Sequence, residues 1–360
     1  MTRIEQIRSL ASCYESDMVT FLRDLIRIPG EGQQEGDVVK RICQEMQKLN
    51  FDNIQIDSMG NILGFMGHGD NIIAFDGHID TVGPGALENW NFDPYEGFED
   101  FTWIGGRGAS DQLGGIVSAI YGVKIAQRLA LIPEDYQLLV VGSVQEEECE
   151  GLNWQYIIEE NKLRPSCVIL TEPTDGHVYR GHRGRADILI EVKGISAHGS
   201  TPDKGSNAIC HMAEIIRDLE SLAPMLHEDT FLGKGTLAIT QIFFESPSRC
   251  AIPDKCLISI DRRLTAGETI QSAIQEISSL PSEQKYNASI RLDHYARRSW
   301  KNYLCETDCY FPVWQIAEES SVCQAVCNAV SQFYDSPFID KWVFSTNGVS
   351  IAGKYQIPCI

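Results

Sequence analysis

A chain of 360 residues is longer than one hydrophobic core comfortably fills, which points to about two domains, and 43% apolar with 22% charged residues is the composition of a globular protein. Fifty acids against thirty Lys and Arg leave a formal charge of −20, which repels nucleic acid and anionic membranes and excludes both as expected partners. No stretch is apolar enough to span a membrane, and the N-terminus carries acids throughout, so no signal peptide is expected.

The segment "MTRIEQIRSLASCYESDMVTFLRDLIRIPG" predicts two amphipathic helical stretches. Next come the β-like runs "NIQID", "NILGFMG" and "NIIAFDGHID", the helix "QLGGIVSAIYGVKIAQRLAL" and the strand "YQLLVVGSV". The helix "LNWQYIIEENKL" and the strand "SCVILTEP" follow. Apolar strands alternating with helices predict an α/β layer structure with a mostly parallel sheet flanked by helices, and a ligand site beyond the strands' carboxyl ends. Around residue 183 the pattern shifts to apolar/polar alternation in "GRADILIEVKG", as for a strand wet on one face. From there to "NASIRLDHY" the order reads β-α-β-β-α-β, the ferredoxin-like split arrangement. The α/β character is expected to return after about residue 295. The domains are therefore placed at 1–181 plus 295–360 and, inserted between them, 182–294.

Twelve scattered cysteines in a chain this large point to a reducing, cytoplasmic location rather than a disulfide framework. The pairs Cys305/Cys309 and Cys323/Cys327 have spacings that a structural zinc could use. However, "SSVCQAVCNAVSQF" is a periodic helix in which cysteines at i and i+4 share the buried face, and that reading is adopted.

Four segments end apolar runs or open a helix with acids or histidine: His78 and Asp80 in "FDGHID", Asp111 in "GRGASDQLGG", Glu146, Glu147 and Glu148 in "VGSVQEEECEG", and Glu172 in "VILTEPTD". One rim of one sheet would then gather a concentration of negative charge that costs several kcal/mol unless cations neutralise it. One histidine with several carboxylates suits Zn²⁺, Mn²⁺ or Co²⁺, and a pair of such ions is the usual device of metal-assisted hydrolysis.

The motifs "GHIDTV", "GRGASDQLGG", "QEEECEG", "LTEPTD", "SAHGSTPDKGSNAI" and "DRRLTAGET" resemble, in order, those of the M20 metallopeptidases and amidohydrolases. "HRGR" and "DRRLT-GET" resemble the branch linked to selenium metabolism. The resemblance implies a zinc-exopeptidase-like fold with an inserted ferredoxin-like dimerisation domain. It implies two divalent ions, zinc with cobalt or manganese as alternatives, and hydrolysis of an amide in a small substrate such as a dipeptide, N-acyl or N-carbamoyl amino acid. A degenerate chain that binds a small molecule or partner without turnover is the competing reading.

Residue by residue, the resemblance implies that His78 and Glu172 hold the first metal, Asp111 bridges both, and Glu147 binds the second. Asp80 would orient His78 through its second nitrogen, and Glu146 would be the general base acting on the metal-bridging water. The run of three glutamates leaves the register open by one residue. His198 would stabilise the oxyanion in the partner subunit's site of a homodimer. Arg263, with Arg262 as the adjacent alternative, and Asn207 would hold a substrate carboxylate or the oxyanion. The sequence departs from the pattern in the extra Glu148 and in Asn347, where many relatives have aspartate. It also ends at "YQIPCI", inside the segment that precedes the family's second histidine ligand. The expectation is thus of an incomplete chain whose second metal position is one ligand short.

Overall fold

The structure, a computed structural model, describes residues 1–334 and 338–360. Helix Arg3–Ile26 starts at a capping box, with Thr2 and Glu5 exchanging side-chain and backbone hydrogen bonds, and buries Phe21, Leu25 and Ile26. The two helical stretches expected here are one helix, because neither glycine nor proline interrupts the sequence between Arg3 and Ile26.

Strand Asn71–His78 lies inside a five-stranded sheet, with Tyr136–Ser143 and Cys167–Leu170 parallel to it on either side. Ile62–Gly67 and Asn53–Ile56 extend the sheet antiparallel at one edge. At the other edge residues 358–360 run alongside Cys167–Leu170, and Leu170 N–H reaches the Ile360 carbonyl at 2.7 Å. Helices Gly36–Lys48 and Gly114–Arg128 cover the sheet, packing Val39, Ile42, Met46, Ile116 and Ile120 against Leu139, Val140 and Val141. The parallel centre brings the carboxyl ends of three neighbouring strands to one rim, and every acid singled out above follows or faces that rim.

The second sheet is antiparallel, in the order Thr236–Glu245, Lys255–Leu264, Gly184–Lys193, Ser289–Leu292. Helices Ala208–Leu222 and Ile270–Ser278 cover one face, enclosing a separate core that includes Ile188, Ile190, Met212, Ile215, Ile258 and Ile260. Its connectivity is the β-α-β-β-α-β order read from the sequence.

After this unit the structure departs from the expected immediate return to α/β character. His294–Arg298 and Leu304–Asp308 form an antiparallel hairpin, turned at Asn302 with φ +66°, a conformation asparagine tolerates better than most residues. Cys305 and Cys309 are buried in the large core, and Cys323 and Cys327 sit one turn apart on helix Ser321–Val330, with Cys323 buried. All twelve cysteines are unpaired thiols. Trp314, Trp342, Val349, Ile351 and Ile357 join the same core as Phe21 and Ile42, so these C-terminal residues pack with the first sheet and its helices.

Candidate active site

His78 is the last residue of its strand and is 1% exposed. Its Nε2 lies 2.9 Å from Asp111 Oδ1 and 4.0 Å from both Glu146 Oε2 and Glu172 Oε1. His78, Asp111 and Glu172 each offer a ligand atom within 4.8 Å of the others. Glu146 and Glu147 line the same cavity of about 420 Å³. Asp111 reaches the rim from a turn that opens at Gly108, φ +75°, where a Cβ would stand 2.6 Å from Thr81 Cγ2; only glycine fits.

Asp80 stands behind His78, but the contact differs from the one expected. The imidazole Nδ1 donates to the Asp80 main-chain carbonyl at 2.9 Å, while the carboxylate lies 3.7 Å away. That carboxylate accepts the backbone N–H groups of Glu146 at 3.1 Å and Glu147 at 3.0 Å. Asp80 therefore directs the His78 lone pair through its backbone and fixes the acidic loop through its side chain.

Gln145 sits at φ +58°, a left-handed conformation that costs a non-glycine residue on the order of 1 kcal/mol. Buried Glu35 accepts its N–H at 3.3 Å, and its side-chain amide donates to the Arg298 carbonyl at 3.1 Å. The three glutamates of the run differ in what they face. Glu146 and Glu147 face the cavity, whereas Glu148 leaves it to accept the Tyr295 hydroxyl at 2.9 Å.

Burial, together with the neighbouring carboxylates, drives Glu146 well above the carboxyl range and raises Glu172 to about 8, against the opposing pull of His78. Burial disfavours charge on His78, yet the Asp111 hydrogen bond and the fields of Glu146 and Glu172 outweigh it and raise its pKa well above the ordinary value. Glu146 Oε1 and Glu172 Oε2 are buried with no hydrogen-bond partner. Orphaned carboxylate oxygens around one imidazole are a donor set that fits divalent cations of the zinc, manganese or cobalt type.

The facing wall comes from the inserted unit. In strand Lys255–Leu264 alternate residues are buried, so adjacent Arg262 and Arg263 point to opposite faces. Arg263 lines the cavity and is gripped by Asp261 at 2.7 and 2.9 Å. Arg262 is buried in the inserted unit and pairs with Glu268. Arg185, opposite Arg263 in register, also lines the cavity, as do Glu150, Phe344 and Ser345. None of these four was expected. The alternation that separates Arg262 from Arg263 is the sequence signal that places Arg185 on a wet face.

Two expected residues do not line the cavity of their own chain. Asn207 caps helix Ala208–Leu222, its Oδ1 accepting from Ile209 N at 3.0 Å and Cys210 N at 3.4 Å. The cap uses the amide oxygen; the amide nitrogen, the group that would donate to a substrate carboxylate or an oxyanion, takes no part in it. His198 is exposed in the loop after strand Gly184–Lys193.

Asn347 donates to buried Asp76 at 2.8 Å and to Ser143 Oγ at 3.1 Å, and accepts from Gly151 N at 2.8 Å. An aspartate here would set two carboxylates against each other in a closed space. Asn347→Asp is expected to lose about 2 kcal/mol or more of stability at pH 8, read by urea denaturation. The loss should shrink as pH falls, because burial raises the Asp76 carboxyl and the pair can then share a proton; an unchanged midpoint at pH 8 would refute this account.

His182, in the "HRGR" stretch, is completely buried. Its Nε2 accepts from Trp314 Nε1 at 2.7 Å and Thr346 N at 3.1 Å, and its Nδ1 donates to the Arg183 carbonyl at 2.8 Å. It thus anchors the segment that carries Phe344, Ser345 and Asn347. Burial, reinforced by Arg263, lowers its pKa from 6.5 to about 4. The unfolded chain then binds the proton first on acidification. The neutral ring's contribution is complete above pH 6.5 and falls by about 3 kcal/mol as pH drops toward 4. Subtracting the stability of His182→Gln at each pH isolates this term; a flat difference would rule it out.

An imidazole and carboxylates gathered on the strand-end rim of an α/β sheet make a ligand set that a divalent cation could occupy. Residues 180–288 match the Peptidase dimerisation domain family. The chain is 52% identical over 351 residues to the uncharacterized protein YgeY of Escherichia coli K12, covering 97% of this chain and 87% of that one. It is 26% identical over 294 residues to succinyl-diaminopimelate desuccinylase 2 of Ruegeria sp. strain TM1040, covering 78% and 73%. The Bacillus subtilis YXEP protein, described as a dinuclear metal-binding peptidase, shares the fold at TM-score 0.66 and 15% identity, over 97% of this chain and 88% of that one. This chain belongs to the M20 family and is a hydrolase of that family. Among the described residues no helix is long and apolar enough to cross a membrane.

Proposed function

We propose that the chain hydrolyses an amide bond in a small substrate, a dipeptide, N-acyl or N-carbamoyl amino acid. The observation that carries this reading is the convergence of His78, Asp111 and Glu172 with Glu146 beside them. His78 and Glu172 would hold one divalent ion and Glu147 a second, with Asp111 available to both, zinc being the first candidate and cobalt or manganese the alternatives. Bound there, such ions polarise a carbonyl and lower the pKa of water. Glu146 takes the proton of the attacking water and returns it to the leaving nitrogen. Arg263, held in plane by Asp261, offers its remaining guanidinium edge to a substrate carboxylate.

Residues 182–294 act as a dimerisation unit on a catalytic body formed by 1–181 and 295–360. Strand Thr236–Glu245 is the edge of its sheet and exposes Ile242, Phe243 and Phe244, the kind of edge a second copy covers. The reducing cytoplasm is where twelve thiols remain unpaired.

Zinc- or cobalt-loaded protein should release amine from at least one of three panels: dipeptides, N-acetyl amino acids and N-carbamoyl amino acids. Metal binding without turnover on all three would leave a binding protein in place of the hydrolase.

A further inference from the structure

Resting on that reading, we propose that Glu35 is a positioning residue for the hydrolysis: it aims the Glu146 carboxylate by holding the main chain one residue before it. Glu35 stands at the N-cap of helix Gly36–Lys48, where a polar side chain usually caps its own helix or faces water. Its side chain makes no cap hydrogen bond, and the residue is 0% exposed. Oε1 reaches instead across 110 residues of sequence to accept Gln145 N–H at 3.3 Å. Three successive N–H groups of the acidic loop therefore end on two buried carboxylates, because Asp80 accepts those of Glu146 at 3.1 Å and Glu147 at 3.0 Å. The loop is tied both to the sheet end that carries Asp80 and to a helix that covers the sheet.

Residue 145 is where such a tie matters. At φ +58° Gln145 holds a left-handed conformation that a non-glycine residue leaves when nothing retains it. The Gln145 carbonyl accepts Cys149 N–H at 3.2 Å, and its side-chain amide donates to the Arg298 carbonyl at 3.1 Å. Those bonds fix the carbonyl and the side chain; Glu35 fixes the N–H. A return of Gln145 to negative φ would swing the peptide leading into Glu146, and with it a carboxylate whose Oε2 stands 4.0 Å from His78 Nε2. Glu35 is not among the residues that line the cavity, so its effect on the chemistry passes through the loop. Keeping it buried is costly. Its Oε2 has no hydrogen-bond partner, and burial, with the charge of Asp80, raises its pKa to about 7.

Glu35→Leu removes the acceptor and keeps a side chain of similar bulk, whereas Glu35→Gln keeps an oxygen that can accept the N–H. Zinc-loaded proteins are assayed on the dipeptide, N-acetyl and N-carbamoyl panels, and their zinc is measured. Glu35→Leu should lower kcat about 10- to 100-fold with KM within about twofold and zinc content unchanged, because a misplaced base costs rate and not binding. Glu35→Gln should recover most of that loss. In the Glu146→Gln background Glu35→Leu should cost nothing further, since the group it aims is already gone. Glu35→Asp, which draws the oxygen back by one carbon, carries the same test if Glu35→Leu does not fold. A raised KM at unchanged kcat, loss of zinc, no recovery by Glu35→Gln, or losses that multiply in the double variant would overturn the positioning role and leave the hydrolase reading standing. Wild-type protein that turns over no member of the panels would overturn both.

Discussion

Glu146→Gln is expected to lower turnover about 10²–10⁴-fold, the usual contribution of a positioned general base, without changing metal content. The substitution keeps the side-chain volume, and the backbone N–H of residue 146 still reaches Asp80, so the loop keeps its geometry. What disappears is an acceptor that can carry a proton. Glu147→Gln is the control. If Glu147 is a metal ligand, that variant should lose bound metal together with activity. Metal analysis beside single-substrate kinetics separates the two. A Glu146→Gln protein that loses its metal would reassign the base to a neighbouring glutamate, and one that keeps full turnover would remove Glu146 from the chemistry.

The adjacency of these glutamates shows how far a sequence carries the argument. Strand-end acids in "FDGHID", "QEEECEG" and "VILTEPTD" are legible because parallel strands deliver their carboxyl ends to one rim, whatever the side-chain rotamers. The inserted unit is legible for a similar reason, since its alternation of apolar and polar residues differs in period from the buried strands before it. Choosing among Glu146, Glu147 and Glu148 is another matter. It depends on the left-handed Gln145 and on Asp80 drawing two successive N–H groups toward itself, and neither leaves a pattern in composition or period. Asp80 shows the same limit at atomic scale: its place behind His78 is readable, but which of its oxygens takes the imidazole is not. Glu35, Glu150 and Arg185 reach the site from separate segments by tertiary packing, so local periodicity has nothing to say about their partners. Asn207 carries a local signal as well: asparagine before a helix is a strong N-cap signal, and its oxygen does that work here.

The second large effect concerns His198. Mixing inactive His198→Ala protein with inactive Glu146→Gln protein, under conditions where subunits exchange, should restore activity to about a quarter of wild type. Random pairing makes about half of the dimers mixed, and each mixed dimer has one complete site of two. The chemistry of the residue supports a role outside its own chain. Ser200 N–H donates to His198 Nδ1 at 3.2 Å, and Ser200 Oγ lies 2.7 Å from the same nitrogen. With Nδ1 an acceptor, the neutral ring carries its proton on Nε2, where it can donate to an oxyanion. That donor is exposed and stands apart from the residues lining its own chain's cavity, while the same unit presents Ile242, Phe243 and Phe244 along an open sheet edge. Pairing two inserted units along that edge would give each exposed histidine a second subunit to serve. Phe243→Lys should therefore abolish complementation together with the dimer, as read by sedimentation, because charge on an edge strand blocks pairing. Subunits that exchange freely yet stay inactive as a mixture would confine His198 to its own chain and remove the oxyanion role across the interface.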